Sequence, residues 1–86
     1  MPTLSQLSHA RACVADAERE ENSLTTRVDA AIQALAFLDQ AALNDVEIQR
    51  YLSVKYERPL EPFELQRAHA RALTVAKKLL FSIERK

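Results

Sequence analysis

The side chains best suited to chemistry in this chain are two histidines and one cysteine. His9 and Cys13 are four residues apart, and in a helix this spacing places both on one face, where they could bind one zinc ion. Only His69 and a carboxylate could supply the two further ligands that such a site needs. Ordinary surface or core-edge positions explain these residues more simply, so the sequence predicts no metal site.

Enzymatic catalysis has little support elsewhere in the sequence. The chain contains no glycine, which excludes glycine-rich loops that bind phosphates and the tight turn that exposes a nucleophilic serine. Histidine is the usual general base near neutral pH, but neither histidine lies beside a nucleophile and an orienting carboxylate in the sequence. We therefore expect a non-enzymatic protein that needs no cofactor.

One stretch resembles a helix-turn-helix, in which the second of two helices reads DNA bases. Residues 47–54 would form its first helix and residues 62–73 its reading helix. The residues offered to bases and phosphates are Gln66, Arg67, His69 and Arg71, followed by Lys77 and Lys78. Bulky Tyr51 occupies the usual small position, and phosphates would be repelled by Glu57, Glu61 and Glu64. A DNA-binding transcriptional regulator is therefore the alternative prediction.

The charges are balanced overall but divided along the chain. Twelve basic and twelve acidic residues give a net charge of zero, so no general attraction to nucleic acid or membrane is expected. Residues 1–42 hold three arginines against six acidic residues, a net charge of minus three, which the remainder balances. Four of these acids form a predicted docking surface for a basic partner: Asp16, Glu18, Glu20 and Glu21.

The strongest pattern is an apolar stripe from Leu7 to Ala42 with alternating spacings of three and four residues. Ten of its eleven positions are apolar, and Glu21 is the exception. Such a repeat is typical of a coiled-coil-like helix that faces another helix. Its narrow first part has no covering helix assigned, so it is predicted to contact another protein through Leu7, Ala10, Val14 and Ala17.

The stripe leaves two possibilities for the N-terminal half. Poor helix formers cluster in residues 22–26, and Thr26 with Asp29 has the spacing of a capping box, which would permit a helical hairpin. A continuous or slightly kinked helix is favoured, because the stripe keeps its register through this segment. Two such helices could form an antiparallel homodimer, with Glu21 beside Val28 of the second copy.

The other helix boundaries follow from capping residues and prolines. Ser5 or Ser8 is expected to cap the first helix. Asn44, with Glu47 three residues later, should begin a second helix over residues 45–57. Pro62 suits the first turn of a last helix that ends near Ile83.

These features predict one all-α domain over residues 1–86. We expect a small bundle of three helices, or four if the first is a hairpin. The leading function is protein binding through the apolar seam, as an adaptor, co-chaperone or inhibitor. A single cysteine, no secretory signal and no membrane-spanning stretch predict a cytoplasmic location.

Overall fold

The computed structural model describes residues 2–85, and helices are the regular secondary structure within them. Four α-helices follow one another: α1 (Leu4–Glu18), α2 (Leu24–Leu38), α3 (Val46–Val54) and α4 (Pro62–Glu84). A short 3₁₀ helix, Gln40–Asn44, connects α2 to α3. The prediction of a small all-α bundle is confirmed, in the four-helix form that begins with a hairpin.

The favoured continuous helix is wrong, because the chain turns between Glu18 and Leu24. Ser23 is the N-terminal cap of α2, because its hydroxyl accepts a hydrogen bond from the backbone N–H of Thr26 at 3.2 Å. Thr26, the predicted cap, therefore lies inside α2. A straight helix over residues 7–42 would be about 54 Å long at ~1.5 Å per residue, whereas the longest dimension of the molecule is 40 Å.

The start of α1 differs from the prediction by a few residues. The hydroxyl of Thr3 accepts from the backbone N–H of Gln6 at 3.1 Å, and the Gln6 side chain accepts from the Thr3 N–H at 2.8 Å. This reciprocal capping box satisfies two amide groups at the helix end. Ser5 and Ser8, the predicted caps, lie inside the helix.

The boundaries of α3 also shift. Asp45, not Asn44, is the cap, and its carboxylate accepts from two backbone N–H groups of the first turn at 3.0 and 3.4 Å. The helix ends at Val54 rather than near Glu57, because the Glu57 N–H donates to the Val54 carbonyl in a tighter turn. α4 begins at Pro62 as predicted and ends one residue beyond Ile83.

The helices meet along small side chains. α2 contacts both α1 and α4, and α1 also contacts α4. Seven alanines from these three helices are at most 2% exposed: Ala10, Ala17, Ala31, Ala34, Ala68, Ala72 and Ala76. Larger side chains that complete the core include Val28, Leu35 and Ile48. The hairpin therefore places the alanine side of α1 against the rest of the chain.

Candidate protein-binding site

The predicted interaction seam on α1 lies inside the fold. Ala10 and Ala17 have no exposed surface, and Val14 is 8% exposed. Leu7 is half-buried and packs against the same core. The sequence assigned no covering helix to this seam; in the structure α2 and α4 cover it, because the chain forms a hairpin. Val28, which the proposed homodimer would place beside Glu21 of a second copy, is also fully buried.

The four predicted acidic docking residues lie at the end of α1 and in the following turn. Asp16 forms an ion pair with Arg19 at 3.7 Å, and Glu18 pairs with Lys77 of α4 at 3.1 Å. Glu20 and Glu21 are exposed in the turn and make no ion pair with residues 2–85. Two of the four charges are therefore already compensated within the chain.

His69 stabilises the end of α1. Its Nε2 lies 2.8 Å from the carbonyl oxygen of Ala17, and the Arg27 Nε donates to the same oxygen at 3.0 Å. The Asn22 side chain donates to the neighbouring carbonyl of Asp16 at 3.1 Å. Helix ends expose unpaired carbonyls that need such partners. These contacts account for the position of His69 on the apolar side of α4.

The structure does not gather the histidines and the cysteine into a reactive site. His9 stacks on Phe37, with ring centroids 5.2 Å apart, while His69 lies at the end of α1. Burial, and then the charge of Asp16, raises the pKa of the Cys13 thiol, which disfavours its reactive thiolate. Within residues 2–85 no group of three His, Cys, Asp or Glu side chains could hold a metal ion.

Most of the predicted nucleic-acid-binding side chains are paired with acidic neighbours. Arg67 lies 3.8 Å from Glu47, and Arg71 lies 2.7 Å from Asp45. Lys77 pairs with Glu18, whereas Lys78 is exposed without an ion pair to the described residues. Gln66, which is neutral, is also exposed. Although burial opposes it, hydrogen bonds from Arg71 and from the first turn of α3 lower the pKa of Asp45. These pairs remove much of the positive charge that DNA would need.

A concave pocket lies between α3 and the beginning of α4, and we call it the α3–α4 pocket. Its volume is about 210 Å³. Tyr51 and Ala68 are its most buried lining residues, at 3% and 2% exposure, and Leu60 contributes a half-buried apolar side chain. Phe63 lines the pocket but is 62% exposed, so its ring stands at the rim. The pocket thus joins an apolar interior to an exposed aromatic edge.

The connector between α3 and α4 is fixed by an ion pair. Two nitrogens of Arg58 donate to the two carboxylate oxygens of Glu64, each at 2.9 Å. Glu64 also accepts from the backbone N–H of Glu61 at 3.0 Å. The hydrogen bonds from Arg58 lower the pKa of Glu64 to about 2. This arrangement holds the first turn of α4 against the connector and defines one side of the pocket.

Tyr51 of α3 positions the opposite side of the α3–α4 pocket. Its hydroxyl donates to the Asp29 carboxylate of α2 at 2.7 Å, and Lys55 pairs with the same carboxylate at 3.4 Å. Burial, followed by the hydrogen bond to Asp29, raises the pKa of Tyr51. The phenol group therefore stays protonated and ties α3 to α2, while its ring faces the pocket.

Sequence reasoning placed only one pocket residue, Arg67, among its candidates, and it did so for DNA. Phe63 and Arg50 were missed. A signal was present for Phe63, which is a large apolar residue next to Pro62. It lies outside the stripe that the last helix forms at alternating spacings of four and three residues: Leu65, His69, Ala72, Ala76, Leu79 and Ile83. No comparable signal marked Arg50, because a single exposed arginine on a helix is common.

Comparison with known protein families, with curated proteins and with solved structures finds no match for this chain. Within residues 2–85 no helix is both long and apolar enough to span a membrane. Function must therefore be argued from the geometry of the site.

Proposed function

We propose that this chain is a non-enzymatic protein-binding module that uses the α3–α4 pocket as its contact surface. The observation that carries the proposal is an apolar concavity with Phe63, Arg50 and Arg67 among its exposed lining residues. Aromatic residues and arginine are enriched in protein interfaces, and a few such side chains around a well-packed pocket carry most of the binding energy. An adaptor, a co-chaperone or an inhibitor acting in the cytoplasm would use a surface of this kind.

The pocket replaces the α1 seam as the proposed contact surface. Large side chains there remain accessible, with Phe63 62% exposed, whereas the seam residues Ala10 and Ala17 have no exposed surface. Binding through the seam would require α1 to leave α2 and α4, which would expose the alanine-lined core. Binding at the pocket requires no such rearrangement.

DNA binding has less support as a second function. The connector between α3 and α4 spans residues 55–61, which is longer than the three or four residues of a usual helix-turn-helix turn. Arg67, Arg71 and Lys77 each meet an acidic side chain. Glu61 and Glu64 lie at the start of the helix that would enter the groove.

The experiment compares two matched variants of α4. Phe63 and Phe81 are 62% and 63% exposed, but only Phe63 lines the α3–α4 pocket. Tagged protein is recovered from the cells that encode it, and its bound proteins are quantified by mass spectrometry. Phe63→Ala should reduce recovery of the partner at least about tenfold, since an interface hot spot contributes ~2 kcal/mol or more.

Phe81→Ala should leave that recovery unchanged. Equal recovery with both variants would refute the pocket as the contact surface. Recovery of DNA without a protein partner, in a salt-dependent manner that Arg67→Ala and Arg71→Ala abolish, would favour the regulator instead.

A further inference from the structure

We infer that the segment bound in the α3–α4 pocket is acidic as well as apolar. It inserts one large apolar side chain and places a carboxylate against Arg50. The inference rests on the proposed function of the pocket as a protein-binding surface, and it adds the chemistry of the partner. Three features carry it: the size of the pocket, the pairing of its charges, and the exposed Arg50, which has no ion pair with residues 2–85.

The size of the pocket fits a side chain better than a complete small molecule. Its volume of about 210 Å³ is below the ~300–1,000 Å³ that is typical of small-molecule and cofactor sites. Tyr51, Val54, Leu60 and Ala68 supply apolar surface in its interior. A leucine, methionine or aromatic side chain anchored there would also contact the exposed ring of Phe63.

The acidic side chains that line the pocket are already paired. Glu64 accepts two hydrogen bonds from Arg58 and one from the Glu61 backbone, and its side chain is only 10% exposed. Glu47 lies 3.8 Å from Arg67, whose side chain is 71% exposed. Neither acid is free to bind a basic group on the partner without breaking a contact within this chain.

Arg50 is the basic lining residue for which the described residues supply no ion pair. It is exposed, and it lines the pocket from α3, as Glu47 and Tyr51 do. Because Glu64 is already bound by Arg58, the Arg50 guanidinium can donate hydrogen bonds to a carboxylate of the partner.

The remaining acids of this region, Glu57 and Glu61, belong to the connector and do not line the pocket. The hydrogen bond and charge of Glu64, followed by the charges of Glu61 and Glu57, raise the pKa of Arg58. Arg58 and these acids form one cluster of charges on the connector, whereas Arg50 lines the pocket from α3. An incoming carboxylate is attracted to Arg50 and repelled by Glu57 and Glu61.

The first experiment selects ligands without assuming their sequence. A random twelve-residue peptide library displayed on phage is selected against the intact protein, and clones are kept if Phe63→Ala weakens their binding and Phe81→Ala does not. The expected consensus contains a large apolar residue with Asp or Glu within one helical turn. A pocket-dependent consensus that lacks acidic residues, or contains basic ones, would overturn the inference and leave the proposed function standing.

If no clone depends on Phe63, the pocket is not a protein-binding surface, and the proposed function fails together with the inference. Light scattering of the protein without peptide tests whether a second copy of this chain occupies the pocket. A dimer that Phe63→Ala converts to monomers would show that a second copy fills the pocket, which would also overturn the inference.

The second experiment tests the charge contact directly. The affinity of a selected acidic peptide and of its Gln or Asn analogue is measured by isothermal titration against the natural protein and Arg50→Gln. The natural protein should prefer the acidic peptide by about two- to fivefold, the range of an exposed ion pair. This preference should fall in Arg50→Gln and persist in Lys78→Gln, which removes an exposed charge outside the pocket lining. A preference that both variants retain would refute the contact with Arg50.

Discussion

The replacement of Val14 by alanine tests whether the apolar side of α1 belongs to the fold. Val14 is 8% exposed and lies in the core shared by α1, α2 and α4. Removing two buried methyl groups costs ~0.8 kcal/mol for each, and the cavity that remains adds to this loss. We therefore expect Val14→Ala to lower the free energy of unfolding by about 2–3 kcal/mol.

Val46→Ala is the matched control, because Val46 is 82% exposed at the start of α3. It should change the free energy of unfolding by less than about 0.5 kcal/mol. In a domain of this size each 1 kcal/mol shifts the melting temperature by ~4–8 °C, so circular dichroism during heating should separate the two variants clearly. Equal melting temperatures would refute the packing of α1 described here.

The dependence on protein concentration distinguishes burial within one chain from burial between two chains. If Val14 packs inside the chain, its destabilisation is the same at all concentrations. If it packs in a homodimer, the melting temperatures of both proteins rise with concentration by mass action. A marked rise between about 5 and 200 μM would therefore contradict the intramolecular packing.

Two further outcomes follow from the groups that position the pocket. Because the pKa of Glu64 is lowered to about 2 from an ordinary value of 4.5, its pair with Arg58 stabilises the fold fully above pH 4.5. This stability is lost as the pH falls toward 2. NMR can follow the titration of the Glu64 carboxyl, and a midpoint near pH 4.5 would contradict its pair with Arg58. Tyr51→Phe removes the hydrogen bond to Asp29 and should lower the free energy of unfolding by about 1 kcal/mol. Urea denaturation measures this loss, and an unchanged midpoint would exclude a stabilising role for the hydroxyl.

The all-helical content and the connector that ends at Pro62 were easier to predict from the sequence than the turn between α1 and α2. The start of α4 at Pro62 was visible because proline fits the first turn of a helix. The sequence favoured a continuous helix because α1 and α2 face one core, so apolar residues such as Val14 and Ala31 keep helical spacing across the turn. Ser23 carried the decisive signal as a helix cap.

The α3–α4 pocket could not be predicted in the same way. Its shape depends on how α3 and α4 pack, and that packing depends on contacts between distant residues such as Tyr51 and Asp29. The pairing of Arg71 with Asp45 joins residues that are 26 positions apart. Periodicity within one helix carries no information about such pairs, so the basic residues of α4 looked free in the sequence.

Photocrosslinking tests whether a protein partner binds at the α3–α4 pocket. A photoreactive phenylalanine analogue is placed at position 63 or at position 81, and the crosslinked products are identified by mass spectrometry. We expect a discrete protein adduct from position 63 and none from position 81, where Phe81 is equally exposed at the other end of the same helix. Adducts from position 81 alone, or equal adducts from both positions, would contradict binding at the pocket.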